Sequence, residues 1–127
     1  MSAPVSVTCH CGAVKLEVRL SDGLKTAGRC DCSFCRRRGA PAVSVPLNGL
    51  RVVKGEDNLS LYSFGTHTAQ HFFCKTCGIY THHQRRSDTN EYGVNMGGIE
   101  GVNPREHEPI QWHDGVNHPS DQSSAES

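Results

Sequence analysis

Residues Val14 to Leu20 read Val-Lys-Leu-Glu-Val-Arg-Leu, with apolar and charged side chains in strict alternation. Successive side chains of a strand point to opposite faces, so this run predicts a half-buried β-strand. Ser21-Asp22-Gly23 ends it with turn residues. Ala42 to Pro46 carries Val43 and Val45 and predicts a second strand. Proline has no N–H to give to a ladder, so that strand ends at Pro46 or lies at a sheet edge. Leu50-Arg51-Val52-Val53 before Lys54-Gly55 predicts a strand and a turn. Leu59 to Phe64 places Leu59 and Leu61 on one face and Tyr62 and Phe64 on the other. His71-Phe72-Phe73 leads into a cysteine pair, Gly78 to His83 leads out of it, and Glu91 to Met96 predicts a late strand.

No window of 11 residues or more repeats with a helical period, and one short helix is expected near Ser33 to Arg38. Short strands separated by Gly-rich turns predict a mainly β domain with at most short helical turns. That domain is expected over residues 1–114, with the run Pro104 to Pro109 interrupting the pattern near its end. From Gly115 to Ser127 the chain is polar, and its last residues are expected to be disordered.

Composition sharpens this picture. The chain has 127 residues, the size of one ordinary domain. Lys plus Arg and Asp plus Glu number 13 each, so no long-range pull on nucleic acid or an anionic membrane is built in. Apolar residues make up 35% with eight aromatics, a thin core that metal staples would reinforce. The start, Met-Ser-Ala-Pro-Val-Ser-Val-Thr, lacks a basic region before an apolar run, and no stretch approaches the roughly 18 apolar residues of a membrane span. A cytoplasmic location follows as the expectation, and there thiols stay reduced. Seven cysteines, an odd number, then point to metal ligands before disulfides. Small β domains with exposed edges often pair, so a homodimer is also expected.

The cysteines form three groups: Cys9-His10-Cys11, Cys30-Asp31-Cys32-Ser33-Phe34-Cys35, and Cys74-Lys75-Thr76-Cys77 before Gly78. Structural zinc takes four ligands, and two short-spaced pairs from distant segments make a closed site. Cys9 and Cys11 with Cys74 and Cys77 fit that arithmetic. Gly78 suits the sharp turn that aims backbone N–H groups at thiolates. Cys30, Cys32 and Cys35 remain. Three protein thiolates leave a fourth position for water or substrate, the pattern of catalytic zinc, and such a site suits an incoming thiol. Arg36, Arg37 and Arg38 follow at once, where positive charge lowers thiolate pKa and can hold an anionic substrate. Alternatives stay open. His67 or His71 could close the triplet as a second structural site, and Cys32 with Cys35 could do thiol redox chemistry. His82 and His83 are adjacent, so on a strand only one can face a site.

These three cysteine groups, in this order from about Val5 to Trp112, resemble the glutathione-dependent formaldehyde-activating enzyme family, also called the centromere protein V domain family. The residues that carry the resemblance are Cys9-His10-Cys11-Gly12, Cys30-Asp31-Cys32-Ser33-Phe34-Cys35-Arg36 and Phe73-Cys74-Lys75-Thr76-Cys77-Gly78. The resemblance implies an Mss4-like fold of small sheets around a structural zinc at Cys9, Cys11, Cys74 and Cys77. It implies a second, catalytic-type zinc at Cys30, Cys32 and Cys35, and the sequence leaves open whether that site is fully or partly occupied at rest. It further implies condensation of formaldehyde with glutathione, a carbon–sulfur lyase reaction run in reverse. On this reading Arg36, Arg37 and Arg38 pair with the carboxylates of glutathione. The competing reading is a non-catalytic zinc module whose Arg36 to Arg38 and Arg85-Arg86 form a basic patch for protein or nucleic acid.

Overall fold

Ten strands and one short helix build the described parts of the chain, which in this computed structural model are residues 3–65, 67–85 and 89–114. The strands are β1 (Val5–Thr8), β2 (Lys15–Val18), β3 (Gly28–Cys30), β4 (Ala42–Pro46), β5 (Leu50–Lys54), β6 (Leu59–Tyr62), β7 (Gln70–Cys74), β8 (Tyr80–Gln84), β9 (Glu91–Asn95) and β10 (Gln111–His113). The helix, α1, is the four residues Cys35–Arg38, and the remaining helical turns are of the 3-10 type. The expected polar tail from Gly115 onward and Arg86 of the suggested basic patch lie outside the described residues.

Two sheets result. β1, β2 and β5 form an antiparallel sheet in the order β1-β2-β5, and the other seven run β10-β3-β4-β9-β8-β7-β6. Within the larger sheet only the β10–β3 pair is parallel. The alternation read at Val14 to Leu20 works as expected: Leu16 and Val18 are fully buried between more exposed Lys15 and Glu17. They join Val7 and Val14 against Val43, Val45 and Val94 of the larger sheet, with Met96, Ile99 and Ile110 closing the core. Each such aliphatic side chain contributes about 1.5–3 kcal/mol by leaving water. Pro46 ends β4 and does not mark an edge, because β4 lies between β3 and β9.

Register decides what the far face of the larger sheet presents. Ser44 pairs with Gly93, Gly93 with His83, His83 with His71, and His71 with Tyr62, so one cross-strand row runs through five strands. The neighbouring row is Val43, Val94, His82, Phe72 and Leu61, on the opposite face. His82 and His83 therefore do point apart, as adjacent strand residues must. His82 stacks on Phe72 with ring centroids 4.6 Å apart and bonds through Nδ1 to Thr81 Oγ1 at 2.8 Å. His83 bonds through Nδ1 to the Tyr80 hydroxyl at 2.6 Å and stacks on His71 at 5.1 Å. Gly93 makes room for it, since a Cβ there would stand 2.4 Å from His83 Cε1.

Two outcomes follow from this packing. Gly93→Ala forces the buried His83 ring to move and should cost about 1–3 kcal/mol, read as a lower midpoint of denaturant unfolding. Burial holds His82 down to about 4, while the unfolded chain protonates it near 6.5. Between those values the unfolded state binds the extra proton, so His82 costs stability progressively as pH falls from 6.5 to 4, by about 3 kcal/mol in all. His82→Phe keeps the stack on Phe72 and removes that proton. Urea unfolding across this pH range should show a slope shallower by about one proton, and equal slopes would exclude His82 as the source.

Candidate metal centres and the cleft beside them

The knuckle between β7 and β8 is built by Cys74, Cys77 and Gly78. Gly78 takes φ +78°, a left-handed conformation that glycine adopts without strain, and its N–H donates to the Cys74 carbonyl at 2.9 Å. The turn directs the N–H groups of Thr76 and Cys77 at Cys74 Sγ, at 3.3 and 3.5 Å, and Asn58 Nδ2 donates to the same sulfur at 3.4 Å. The loop between β1 and β2 adds Cys9 and Cys11, where the Val14 N–H donates to Cys9 Sγ at 3.3 Å. Such donors favour the thiolate form. The Cys11 backbone N–H is the largest of the contacts that hold Cys77 down to about 6.

The four sulfurs lie within 4.8 Å of one another. Cys9 Sγ and Cys11 Sγ are 3.7 Å apart, as are Cys11 Sγ and Cys74 Sγ. A tetrahedron with Zn–S bonds near 2.3 Å has edges of about 3.8 Å, whereas a disulfide needs about 2.05 Å. All seven cysteines are free thiols. The spacing therefore fits four sulfurs around one shared ion and does not fit a disulfide.

The second cluster comes from one short segment. Cys30 ends β3, Cys35 opens α1, and Cys32 lies in the turn between them, with all three sulfurs within 4.8 Å of one another. The Cys35 N–H donates to Cys32 Sγ at 3.3 Å. The thiols of Cys30 and Cys35 hold Cys32 far below the ordinary thiol range, while Cys30, Cys32 and burial push Cys35 far above it. Three thiols so close share protons and resist losing all of them unless a cation compensates. Among the described residues no histidine or carboxylate joins this group. Of the histidines that could have closed it, His67 bonds Ser63 Oγ at 2.8 Å, and His71 Nδ1 stands 3.2 Å from Arg38 Nη1.

The two clusters differ in what lies beside them. Cys30, Cys32 and Cys35 form part of the wall of a cleft of about 530 Å³, together with Arg38, His71, His83 and Ser44. The four-cysteine cluster does not line it. Arg38 is held at this wall by aromatic faces: its guanidinium carbon lies 3.7 Å from the Tyr80 ring centroid and 4.9 Å from that of Phe34. Its Nη2 donates to Cys35 Sγ at 3.5 Å. No carboxylate among the described residues pairs with it. A half-buried cation without a carboxylate, beside clustered thiols, is a counter-charge for thiolates or for an anionic ligand.

The arginine run divides. Arg36 is exposed and lines neither this cleft nor the adjoining apolar groove, and the exposed Arg37 donates to the Ser33 carbonyl. Only Arg38 lines the cleft. Sequence reasoning gave no site role to Arg29 or Ser44, which line the cleft, or to Tyr80, whose ring faces Arg38, and of the pair His82 and His83 the structure turns His83 to the cleft. The suggested basic patch loses two members to the interior, since Arg38 and Arg85 both line the cleft.

Fold and clusters together define a β protein with two cysteine clusters that could each hold a metal ion, one where its two sheets meet and one on the wall of a cleft. The chain belongs to the glutathione-dependent formaldehyde-activating enzyme family, whose model matches residues 4–113. The mainly β, Mss4-like architecture that the family resemblance implies is the one observed. A crystal structure of a Rhodobacter sphaeroides protein, a structural-genomics target, is similar with a TM-score of 0.84 and 62% identity. The match covers 85% of this chain and 99% of that one. No helix among the described residues is long and apolar enough to cross a membrane.

The difference between the clusters gives a direct expectation. Cys74→Ser should abolish cooperative unfolding, because the sulfur lost is in the core and joins two sheets. Cys32→Ser should leave the thermal transition in place and lower bound zinc, by elemental analysis, from two ions per chain to one. Equal loss of structure in both variants would contradict the division into a closed and an open site.

Proposed function

We propose that this chain is a zinc-dependent enzyme of the carbon–sulfur lyase type, acting on the adduct of glutathione with a small carbonyl compound. The carrying observation is that the three-thiol cluster, and not the four-thiol one, opens on a cleft that also presents an uncompensated guanidinium. The closed zinc site would be Cys9, Cys11, Cys74 and Cys77, and the open one Cys30, Cys32 and Cys35. The family supports glutathione as the thiol. Seven free thiols fit a cytoplasmic location.

Zinc at the triplet supplies a position where an incoming thiol gives up its proton readily. The chain's own residues do the rest. Arg38 offsets the negative charge gathered at Cys35 and the substrate sulfur. His71 and His83 stack on one another, with His71 beside Arg38, and narrow the cleft around the reacting carbon. The reaction forms one C–S bond and converts the carbonyl double bond to a hydroxyl. The thiol proton ends on that oxygen, and nothing is oxidised or reduced. In reverse, the adduct returns the carbonyl compound and the thiol.

The test is calorimetric titration of glutathione into zinc-loaded protein, with adduct formation from glutathione and formaldehyde followed by NMR. Saturable binding at millimolar glutathione or below is expected, and it should disappear in Cys32→Ser. Arg38→Met should weaken it by about tenfold or more, the worth of a charge-assisted hydrogen bond. Absence of binding by the fully loaded protein would remove this reading.

A further inference from the structure

The cleft holds three guanidinium groups, and their partners differ. Arg29 is committed, since its two terminal nitrogens meet both oxygens of Glu108, at 3.4 and 3.0 Å, and its Nε donates to the Gly39 carbonyl. Arg38 faces the thiol end of the cleft, where its Nη2 donates to Cys35 Sγ and its Nε is buried without a hydrogen-bond partner among the described residues. Arg85 sits elsewhere on the wall, just after β8 and across from the start of β9, where its N–H donates to the Glu91 carbonyl at 3.1 Å. Its Nη2 donates to the buried Ser44 hydroxyl at 3.2 Å. Its Nε is buried without a hydrogen-bond partner among the described residues, and the nearest carboxylate oxygen, Glu91 Oε1, is 3.5 Å away.

This is a loosened ion pair where a tight one would be expected. Buried donors are almost always satisfied, and a cross-strand salt bridge whose only purpose was to hold β8 to β9 would close the remaining gap. Both side chains are partly shielded, at 23% and 34% exposure, so their charges act through less water than surface charges do. Both line the same cleft as Cys30, Cys32 and Cys35. One half-shielded cation and one half-shielded anion, side by side, match an ammonium and a carboxylate on a single carbon.

We infer that Arg85 and Glu91, with Ser44, form a subsite for the α-amino-acid headgroup of the thiol substrate. Arg85 receives the α-carboxylate and Glu91 the α-ammonium. The inference rests on the glutathione reading above and deepens it. It orients the substrate, with the γ-glutamyl end at β8–β9 and the sulfur at the cysteine triplet. It makes the thiol partner one that carries a free amino-acid headgroup at a distance from its sulfur, which simple small thiols lack.

The experiment titrates the zinc-loaded protein with glutathione and two analogues of equal length. Glutaryl-cysteinylglycine lacks the α-amino group, and 4-aminobutanoyl-cysteinylglycine lacks the α-carboxylate. Each should bind about tenfold or more weakly than glutathione, as expected when one charged partner is left unpaired. Arg85→Gln should weaken glutathione similarly while binding the carboxylate-free analogue as the parent protein does. Glu91→Gln should do the same for the amine-free analogue. If glutathione binds but both analogues bind within twofold of it, the subsite is overturned while the glutathione reading stands. If glutathione does not bind at all, both fall together. The analogue series on the unaltered protein decides the matter even if a variant folds poorly.

Discussion

Four thiols at the meeting of two sheets set the geometry of the whole chain. Cys9 and Cys74 are buried members of the apolar core itself, while Cys11 and Cys77 cap it from outside. They are drawn from the β1–β2 loop and the β7–β8 knuckle, so the cluster spans the small sheet and the large one. The apolar interior is thin, with valine its commonest residue. An ion shared by four thiolates would add a cross-link that this core does not supply, and the entropy cost of closing so long a loop rises only slowly with its length. The knuckle also starts β8. Once Cys74 and Cys77 are fixed, Tyr80, Thr81, His82 and His83 leave the turn in a defined register, and the cleft wall follows from it.

The two clusters then differ for an electrostatic reason. Around the closed one, backbone N–H groups and Asn58 supply partial positive charge to sulfurs that are otherwise out of water. Around the open one fewer such donors are present, and a full positive charge, Arg38, stands at the wall. Partial charges on fixed amides suit a permanent structural centre. A guanidinium facing a cleft suits a centre where negative charge arrives and leaves.

Much of this was legible in the sequence, and what was not has a physical cause. Spacing alone divided the cysteines four and three, because ligand pairs a few residues apart must share one turn. The Val14 to Leu20 alternation, the strand over Ala42 to Pro46 and the short helix near Cys35 were readable from local chemistry. β1, whose Val5-Ser6-Val7-Thr8 does alternate, was passed over, and β3 and β10 were not readable. β3 is three residues long and meets β4 through a single pair, Gly28 with Ala42, while β10 is exposed throughout. Neither carries the apolar alternation that marks a strand. The cleft residues were hidden for a different reason. Ser44, Gly93, His83 and His71 form one row only because four strands pair in a particular register, and pairing is not written in any one segment. The arginine run was read as a unit, yet helix geometry and stacking select Arg38 alone for the wall.

What keeps Arg38 available is the neutrality of the groups that hold it. Tyr80 is pushed up to about 12 by burial, so it stays a phenol. Burial first, and Arg38 next, keep His83 well below the usual imidazole range, so it stays uncharged. The ring faces of Tyr80 and Phe34 position the guanidinium without cancelling it, and the uncharged His83 behind Tyr80 adds no opposing charge. A carboxylate in place of any of them would capture the charge and turn the wall into a closed salt bridge, as Glu108 does to Arg29 in the same cleft. The same contrast gives Arg85 its meaning: three arginines line one cavity, one is fully paired, one is deliberately unpaired by its aromatic setting, and one is paired loosely across a gap. Only the last two leave charge for a ligand, one at the sulfur end and one away from it, and a substrate with anionic groups at both places is the complement of that arrangement.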